Sequence, residues 1–241
     1  MKFDTPTLLK DHPVVSQTEW IHASQDLLAK EKEFTKARDA LTAQRMNLPW
    51  VKVEKNYTFE TEAGKQTLAE LFGNHNQLIV YHFMYAPGWD EGCSGCSFVS
   101  DHVDAARQHF EHHDITYVAV SRAPLNEFLP FKKRMGWTFK WVSSAGTDFN
   151  YDFGVSFKPE EKDKGPVFYN FKEQKLNGEE QPGLSVFVKD HEGTIYRTYS
   201  TYERGLDMLV GAYNFIDLTP LGRHEEHAMQ WMNFHDRYPQ D

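Results

Sequence analysis

This chain has only two cysteines, and they stand three residues apart as Cys93-Ser94-Gly95-Cys96. Before them runs an apolar stretch, Leu78-Ile79-Val80-Tyr81-His82-Phe83-Met84-Tyr85, rich in the β-branched and aromatic residues of a buried strand. Pro87-Gly88 breaks it, and Trp89-Asp90-Glu91-Gly92 carries the chain over a loop. After them comes a helical pattern, with Val99, Val103, Ala106 and Phe110 on one face. A buried strand leading into a helix whose first turn holds both thiols points to an α/β unit. In that setting Cys-x-x-Cys reads as a redox dithiol.

The chemistry depends on this placement. Backbone N–H groups at a helix start lack intrahelical partners and carry partial positive charge. Cys93, first in that field, is expected to have a lowered pKa and to act as the nucleophile. Cys96, one turn on, is expected to resolve the mixed disulfide. A thiol peroxidase would use the same pair, with Cys93 oxidised to a sulfenic acid that Cys96 resolves. Outside enzymes, His102, His109 and His112-His113 leave room for a Cys/His metal-binding or redox-sensing module. Structural thiols are the remaining reading. The dithiol reading needs no cofactor and no metal.

The whole chain narrows the partners. With 241 residues it can bury a sizeable core. A net charge of -9 argues against nucleic acid or an anionic membrane as the main partner. The start, MKFDTPTLLKDHP, has no apolar export segment, and no apolar run is long enough to span a bilayer. The expected compartment is the cytoplasm, where thiols are kept reduced and a dithiol is catalytic or sensing rather than structural. The expected substrate is a protein or small-molecule disulfide.

Taken in order, Ser16 to Met46 reads as one long helix opened by a capping box, Ser16-Gln17-Thr18-Glu19, and ended at Pro49. Its narrow stripe (Leu27, Glu31, Phe34, Arg38, Leu41) suits packing onto the domain or pairing with a second copy in a homodimer. Trp50 to Thr61 alternates like a strand, and a turn at 62–65 precedes a short helix, Thr67–Phe72. Asp114–Ser121 and Trp137–Ser143 read as strands around a helix, Leu125–Met135, capped by Gly136. Residues 173–183 read as loop, Leu184–Lys189 and Thr194–Tyr199 as a hairpin, and a closing helix starts near Tyr202. This divides the chain into a helical extension (1–49), an α/β domain (50–222) and a C-terminal tail (223–241).

The order of elements resembles a thioredoxin fold, a mixed central sheet flanked by helices, and residues 50–72 resemble the N-terminal hairpin and helix of the peroxiredoxin-like branch. More specifically, the sequence is similar to the bacterial thioredoxin-like family catalogued as domain of unknown function 899. The matching motifs include Tyr81-His82-Phe83-Met84, Gly92-Cys93-Ser94-Gly95-Cys96-Ser97-Phe98, Val120-Ser121-Arg122-Ala123-Pro124 and Phe131-Lys132-Lys133-Arg134-Met135-Gly136-Trp137. Asp148–Phe157, Tyr199-Ser200-Thr201-Tyr202, Arg204-Gly205-Leu206-Asp207 and Leu218-Thr219-Pro220 continue it. The resemblance implies thiol–disulfide exchange. The chain departs from thioredoxins in having Ser-Gly rather than Gly-Pro between the cysteines. The position of the thioredoxin cis-proline falls on Leu184, with Pro182 two residues earlier. Either Pro182 reaches the site through a shifted loop, or the cis-proline is absent.

Ligands in open α/β sheets bind beyond the carboxyl ends of the strands. Candidate substrate-binding residues there are Trp89 as an apolar lip, Arg122 as a cation favouring the thiolate, and Pro182 and Leu184 for an extended substrate. Asp148–Phe157, dense in aromatics, has two readings: a lid over the dithiol, or a plug filling the core. The lid requires Asn150 or Asp152 to face a cavity that also exposes Cys93.

Overall fold

The computed structural model describes residue 10 and residues 12–239. Its helices are α1 (Gln17–Met46), α2 (Leu68–Leu71), α3 (Ser94–Ser100), α4 (Val103–Phe110), α5 (Leu125–Arg134), α6 (Phe149–Asp152), α7 (Pro159–Asp163) and α8 (Gly211–Asp217). Its strands are β1 (Val51–Lys52), β2 (Thr58–Thr61), β3 (Gly64–Thr67), β4 (Gln77–His82), β5 (Ile115–Ser121), β6 (Lys140–Ser143), β7 (Val167–Tyr169), β8 (Lys172–Gln174), β9 (Gly183–Lys189) and β10 (Ile195–Tyr202).

Eight strands form one mixed sheet in the order β1-β10-β9-β4-β5-β6-β2-β3. β4, β5 and β6 run parallel, while β9 lies antiparallel to β4 and β10 antiparallel to β9. With the dithiol helix in the β4-to-β5 crossover, this is the thioredoxin-like arrangement. The central strands are buried on both faces, so alternate residues serve different cores. Tyr81, Tyr117, Ala119 and Trp141 face the side where Cys96 lies, with Phe83, Phe98 and Phe128. Leu78, Val80, Val118, Val120 and Val142 face the other side, with Phe149, Phe153 and Phe187.

Residues 173 and 174, read as loop, belong to β8, which pairs with β7, and three further differences from the sequence reading bear on the architecture. The single strand expected over Trp50–Thr61 is two, and they sit far apart in the sheet order, β1 beside β10 and β2 beside β6. A flat sheet would separate them by six strand spacings, about 29 Å. The chain from Lys52 to Thr58 reaches about 20 Å even fully extended. The sheet therefore curls, bringing its two ends together around residues 53–57. Second, the helix after the cysteines breaks at Asp101-His102 into α3 and α4. His102 Nδ1 bonds to Phe98 O (2.7 Å), and its Nε2 accepts the Ala212 N–H (3.0 Å) at the start of α8. Third, the closing helix is α8 alone, preceded by a 3-10 segment over Glu203–Leu209.

α1 starts as its capping box requires, with the Glu19 carboxylate accepting the Ser16 N–H (2.9 Å) and Ser16 Oγ accepting the Glu19 N–H (3.3 Å). It is about 45 Å long and buries none of its side chains. Its apolar stripe is not packed onto the domain. Among the described residues no helix is long and apolar enough to cross a membrane.

Candidate active site

The loop from β4 to α3 folds back onto its own strand. Cys93 N–H donates to Met84 O (3.1 Å), and Phe83 N–H donates to Val120 O (2.9 Å) on the neighbouring strand's end. Only glycine fits at residue 92, because a Cβ there would stand 2.5 Å from the Phe83 ring and 3.0 Å from that of Phe131. That close approach sets Cys93 at the N-cap of α3, in an extended conformation (φ -59°, ψ 130°), while Ser97 N–H returns to its carbonyl at 3.0 Å.

The two thiols occupy unequal environments. Cys93 is half-buried and Cys96 is buried. The Cys96 thiol, donating toward the Cys93 sulfur, is the main influence lowering the Cys93 pKa, to about 7. Burial opposes it, and the backbone N–H groups of Cys96 and Gly95 reinforce it. The sequence reading credits the helix start and Arg122; the helix N–H groups do contribute, but the second thiol contributes more. Cys96 is pushed well above the ordinary thiol range by burial, and further by Cys93. Met84 N–H donates to Cys96 Sγ (3.4 Å). Tyr81 is 1% exposed, its hydroxyl has no nitrogen or oxygen partner, and it faces the same sulfur. Sequence reasoning took Tyr81 as one more apolar strand residue. Strand alternation from His82 was the signal available for placing it on the dithiol face.

The other predicted residues are placed as follows. Trp89 is 38% exposed on the loop leading to Cys93. Leu184 is buried in the same core as Cys96, paired across the sheet with Tyr81. Pro182 is half-buried, and its carbonyl accepts the Tyr169 hydroxyl (2.7 Å). Among the described residues no peptide bond is cis, which settles the cis-proline alternatives in favour of absence. Arg122 is engaged away from the sulfurs: its Nε donates to Glu180 Oε1 (2.6 Å), with Tyr151 and Glu179 as further partners. Glu180 is buried, and Ser156 Oγ donates to it (2.7 Å). That guanidinium compensates a buried carboxylate, and it is not among the causes that lower Cys93. The expectation that it favours the thiolate is corrected accordingly.

The Asp148–Phe157 lid is also corrected. Phe149 and Phe153 lie in the core on the sheet face opposite Cys96, with the His82 ring 5.6 and 5.8 Å from theirs. Asn150 Oδ1 accepts Ser144 Oγ–H (2.7 Å), and Asp152 accepts from Lys55 Nζ (2.7 Å) and Tyr57 Oη (2.8 Å). The cavity of about 670 Å³ that Asp152 and Phe153 do line includes neither cysteine. The segment is a plug.

The segment expected to be a tail packs on the dithiol side of the sheet instead. Met229, Trp231 and Met232 pack against the core that holds Cys93 and Cys96. A Cβ built on Gly95 would stand 3.4 Å from Met229 Sδ and 3.7 Å from Cys93 Sγ. The sequence signal was there in Met229, Trp231, Met232, Phe234 and Tyr238, too many large apolar residues for a solvated tail. As for metal, both ring nitrogens of His102 are already bonded to the backbone, and among the described residues no cluster of three His, Cys, Asp or Glu is placed to hold an ion.

No curated relative matches the sequence. Solved structures similar to the chain include the peroxidoxin BcpB of Mycobacterium tuberculosis, at 14% identity and TM-score 0.45, covering 70% of this chain and 97% of that one. Peroxiredoxin Q of Xanthomonas campestris is similar at 15% identity and TM-score 0.40, covering 70% and 92%. A protein described as a thiol:disulfide interchange protein, DsbE, of Chlorobium tepidum follows at 12% and 0.40, covering 69% and 98%. The family model described as bacterial protein of unknown function, DUF899, matches residues 9–238, nearly the whole chain, and the chain belongs to that family.

Proposed function

We propose that the chain is a thiol–disulfide oxidoreductase of the cytoplasm, working through Cys93 and Cys96. The observation that carries this reading is the unequal pair: a half-buried sulfur held as thiolate near neutral pH, one turn from a buried thiol that donates to it. The Cys93 thiolate attacks one sulfur of a substrate disulfide, that S–S bond breaks, and the other sulfur leaves as a thiolate. Cys96 then attacks Cys93 Sγ, closing the 93–96 disulfide and freeing the second substrate thiolate, which takes the Cys96 proton. The substrate gains two electrons, and an external thiol reductant returns them to the pair. Trp89, exposed on the same loop, offers an apolar lip to the incoming substrate.

A thiol peroxidase uses the same first geometry and is the second reading, favoured by the half-buried setting of Cys93. There Cys93 attacks a peroxide oxygen, the O–O bond breaks, an alcohol leaves, and Cys96 displaces water from the sulfenic acid. Turnover of hydroxyethyl disulfide and of a hydroperoxide, with a thiol reductant, separates the two. Cys93→Ser is expected to abolish turnover, and Cys96→Ser to stop disulfide exchange at a mixed disulfide visible by mass. A wild-type chain that turns over neither oxidant ends both readings.

A further inference from the structure

The C-terminal segment from Glu225 to Tyr238 is fastened to the active-site loop and helix at several independent points. One Glu225 oxygen accepts both the Met229 N–H and the Trp231 Nε1–H, each at 2.9 Å. The Trp231 ring meets Phe98, two residues after Cys96, edge-on at 5.7 Å. Phe234 packs edge-on against Phe131 at 5.5 Å, and Asp236 pairs with Arg134 at 2.7 Å. Arg237 pairs with Glu91, which lies on the loop two residues before Cys93. His235 Nδ1 bonds to Asp101, at the end of α3, at 2.7 Å.

Between these anchors Met229 has φ 67°, in the left-handed region that a residue with a side chain adopts only when surrounding contacts hold it there. Its thioether and the Cys93 sulfur both lie within contact distance of a Cβ built on Gly95, a residue between the cysteines, at 3.4 and 3.7 Å. An extended protein segment approaching Cys93 from above α3 would meet Met229 before it met sulfur.

We propose that this segment is a strap over the dithiol and that Met229 is its specificity-determining residue, admitting low-molecular-weight oxidants to Cys93 and excluding disulfides of folded proteins. The proposal rests on the dithiol reading for its chemistry but not for its test, which measures access to one sulfur. Anchoring the strap to Glu91 ties it to the same loop that sets the position of Cys93. No electron or atom passes to Met229, whose role is steric.

The test uses the full chain as Cys96→Ser, leaving Cys93 as the single thiol. It is alkylated with N-ethylmaleimide and with the same maleimide on a long polyethylene glycol chain. Each rate is divided by that of the same reagent with the unfolded chain. The small reagent is expected to react freely and the large one at least about tenfold more slowly, the factor that about 1.4 kcal/mol supplies. Met229→Gly removes the side chain at a φ that glycine adopts readily, and Glu225→Ala removes the carboxylate that holds the Met229 N–H and the Trp231 Nε1–H in place; each is expected to raise the large reagent's rate selectively. Equal normalised rates for both reagents in the chain with Met229 intact would overturn the proposal without any variant having to fold. So would an unchanged size ratio in both variants. Because access is read by alkylation, failure here leaves the turnover test of the dithiol untouched.

Discussion

The influence of Cys96 on Cys93 makes a prediction with a shape as well as a size. Cys93 falls from the 9.0 of an ordinary thiol to about 7, and its first cause is the Cys96 side chain. That drop is worth about 3 kcal/mol of preference for the thiolate. In Cys96→Ala the donor is gone, burial still opposes charge, and the Cys93 midpoint is expected to return toward 9. At pH 7 the thiolate fraction would then fall from about one half to about one in a hundred, roughly fiftyfold. Reactivity falls less, because a more basic thiolate is a better nucleophile by a factor of roughly 6–10 over that span. The net expectation is alkylation about five- to eightfold slower than wild type at pH 7. Above about pH 8 the order reverses, and the two profiles cross. The assay is the rate of Cys93 alkylation by iodoacetamide from pH 5 to 10, with the adduct located by mass spectrometry. Cys96→Ser keeps a hydroxyl donor and should fall between the two. If the Cys96→Ala profile kept its midpoint near 7, the backbone N–H groups alone would be holding the thiolate, and the ranking of causes would be wrong.

Three further outcomes follow from other parts of the fold. Tyr81→Phe removes a hydroxyl that bonds toward the buried sulfur and is not among the causes that lower Cys93, so the Cys93 alkylation profile should stay in place while release of a trapped mixed disulfide slows about fivefold, as one hydrogen bond of about 1 kcal/mol implies. His82 is pushed down by burial from 6.5 to about 3, so the unfolded chain takes up its proton first; its stabilising contribution is complete above pH 6.5 and should be lost toward pH 3 by about 1.4 kcal/mol per pH unit, a slope that His82→Gln should flatten in denaturant titrations between pH 6.5 and 5. Finally, Trp20, Leu27, Phe34 and Leu41 recur every seven residues on α1 and are all exposed. We propose that they pair with a second copy in an antiparallel coil, because setting Phe34 against itself brings Leu27 over Leu41 and acidic Glu31 beside basic Arg38; Phe34→Glu should convert a dimer to a monomer in sedimentation, and a wild-type monomer at the highest soluble concentration would refute the pairing.

How much of this was legible in the sequence depended on how local the cause was. α1, the β4-to-α3 turn and the β9–β10 hairpin are encoded within their own residues, by a capping box, by Pro87-Gly88, and by His191-Glu192-Gly193. The unequal exposure of the cysteines was legible too, since it follows from position along α3. The division of Trp50–Thr61 between two sheet edges was not. The alternation of residues 50–61 is that of a strand, and nothing local reports that the sheet curls enough for one short stretch to serve both ends. The α3–α4 break is of the same kind. Val99, Val103 and Phe110 keep helical spacing across it, and the break coincides with the Ala212 N–H on His102, more than a hundred residues away.

The error about what covers the dithiol has a physical source that runs through the whole site. A stretch of aromatics with Asp and Asn between them has the composition of a binding lid and of a core plug alike, because each needs large rings on one side and turn-forming residues on the other. What separates them is the sheet face they occupy, and that depends on a crossover no local pattern reports. Asp148–Phe157 follows β6 onto the face that His82 and Val80 serve, so its rings meet Phe187, and Arg122 goes with it to compensate Glu180. The face that Tyr81 serves is left to be closed from elsewhere. The chain returns to it through α8, whose N-terminus docks on His102 directly behind the cysteine helix. From there the last residues return to the core that holds the cysteines, with Met229, Trp231 and Met232 packed against it. The His102 contact lies at the break after the helix carrying Cys96, so disturbing it is expected to loosen α8 and the dithiol helix together.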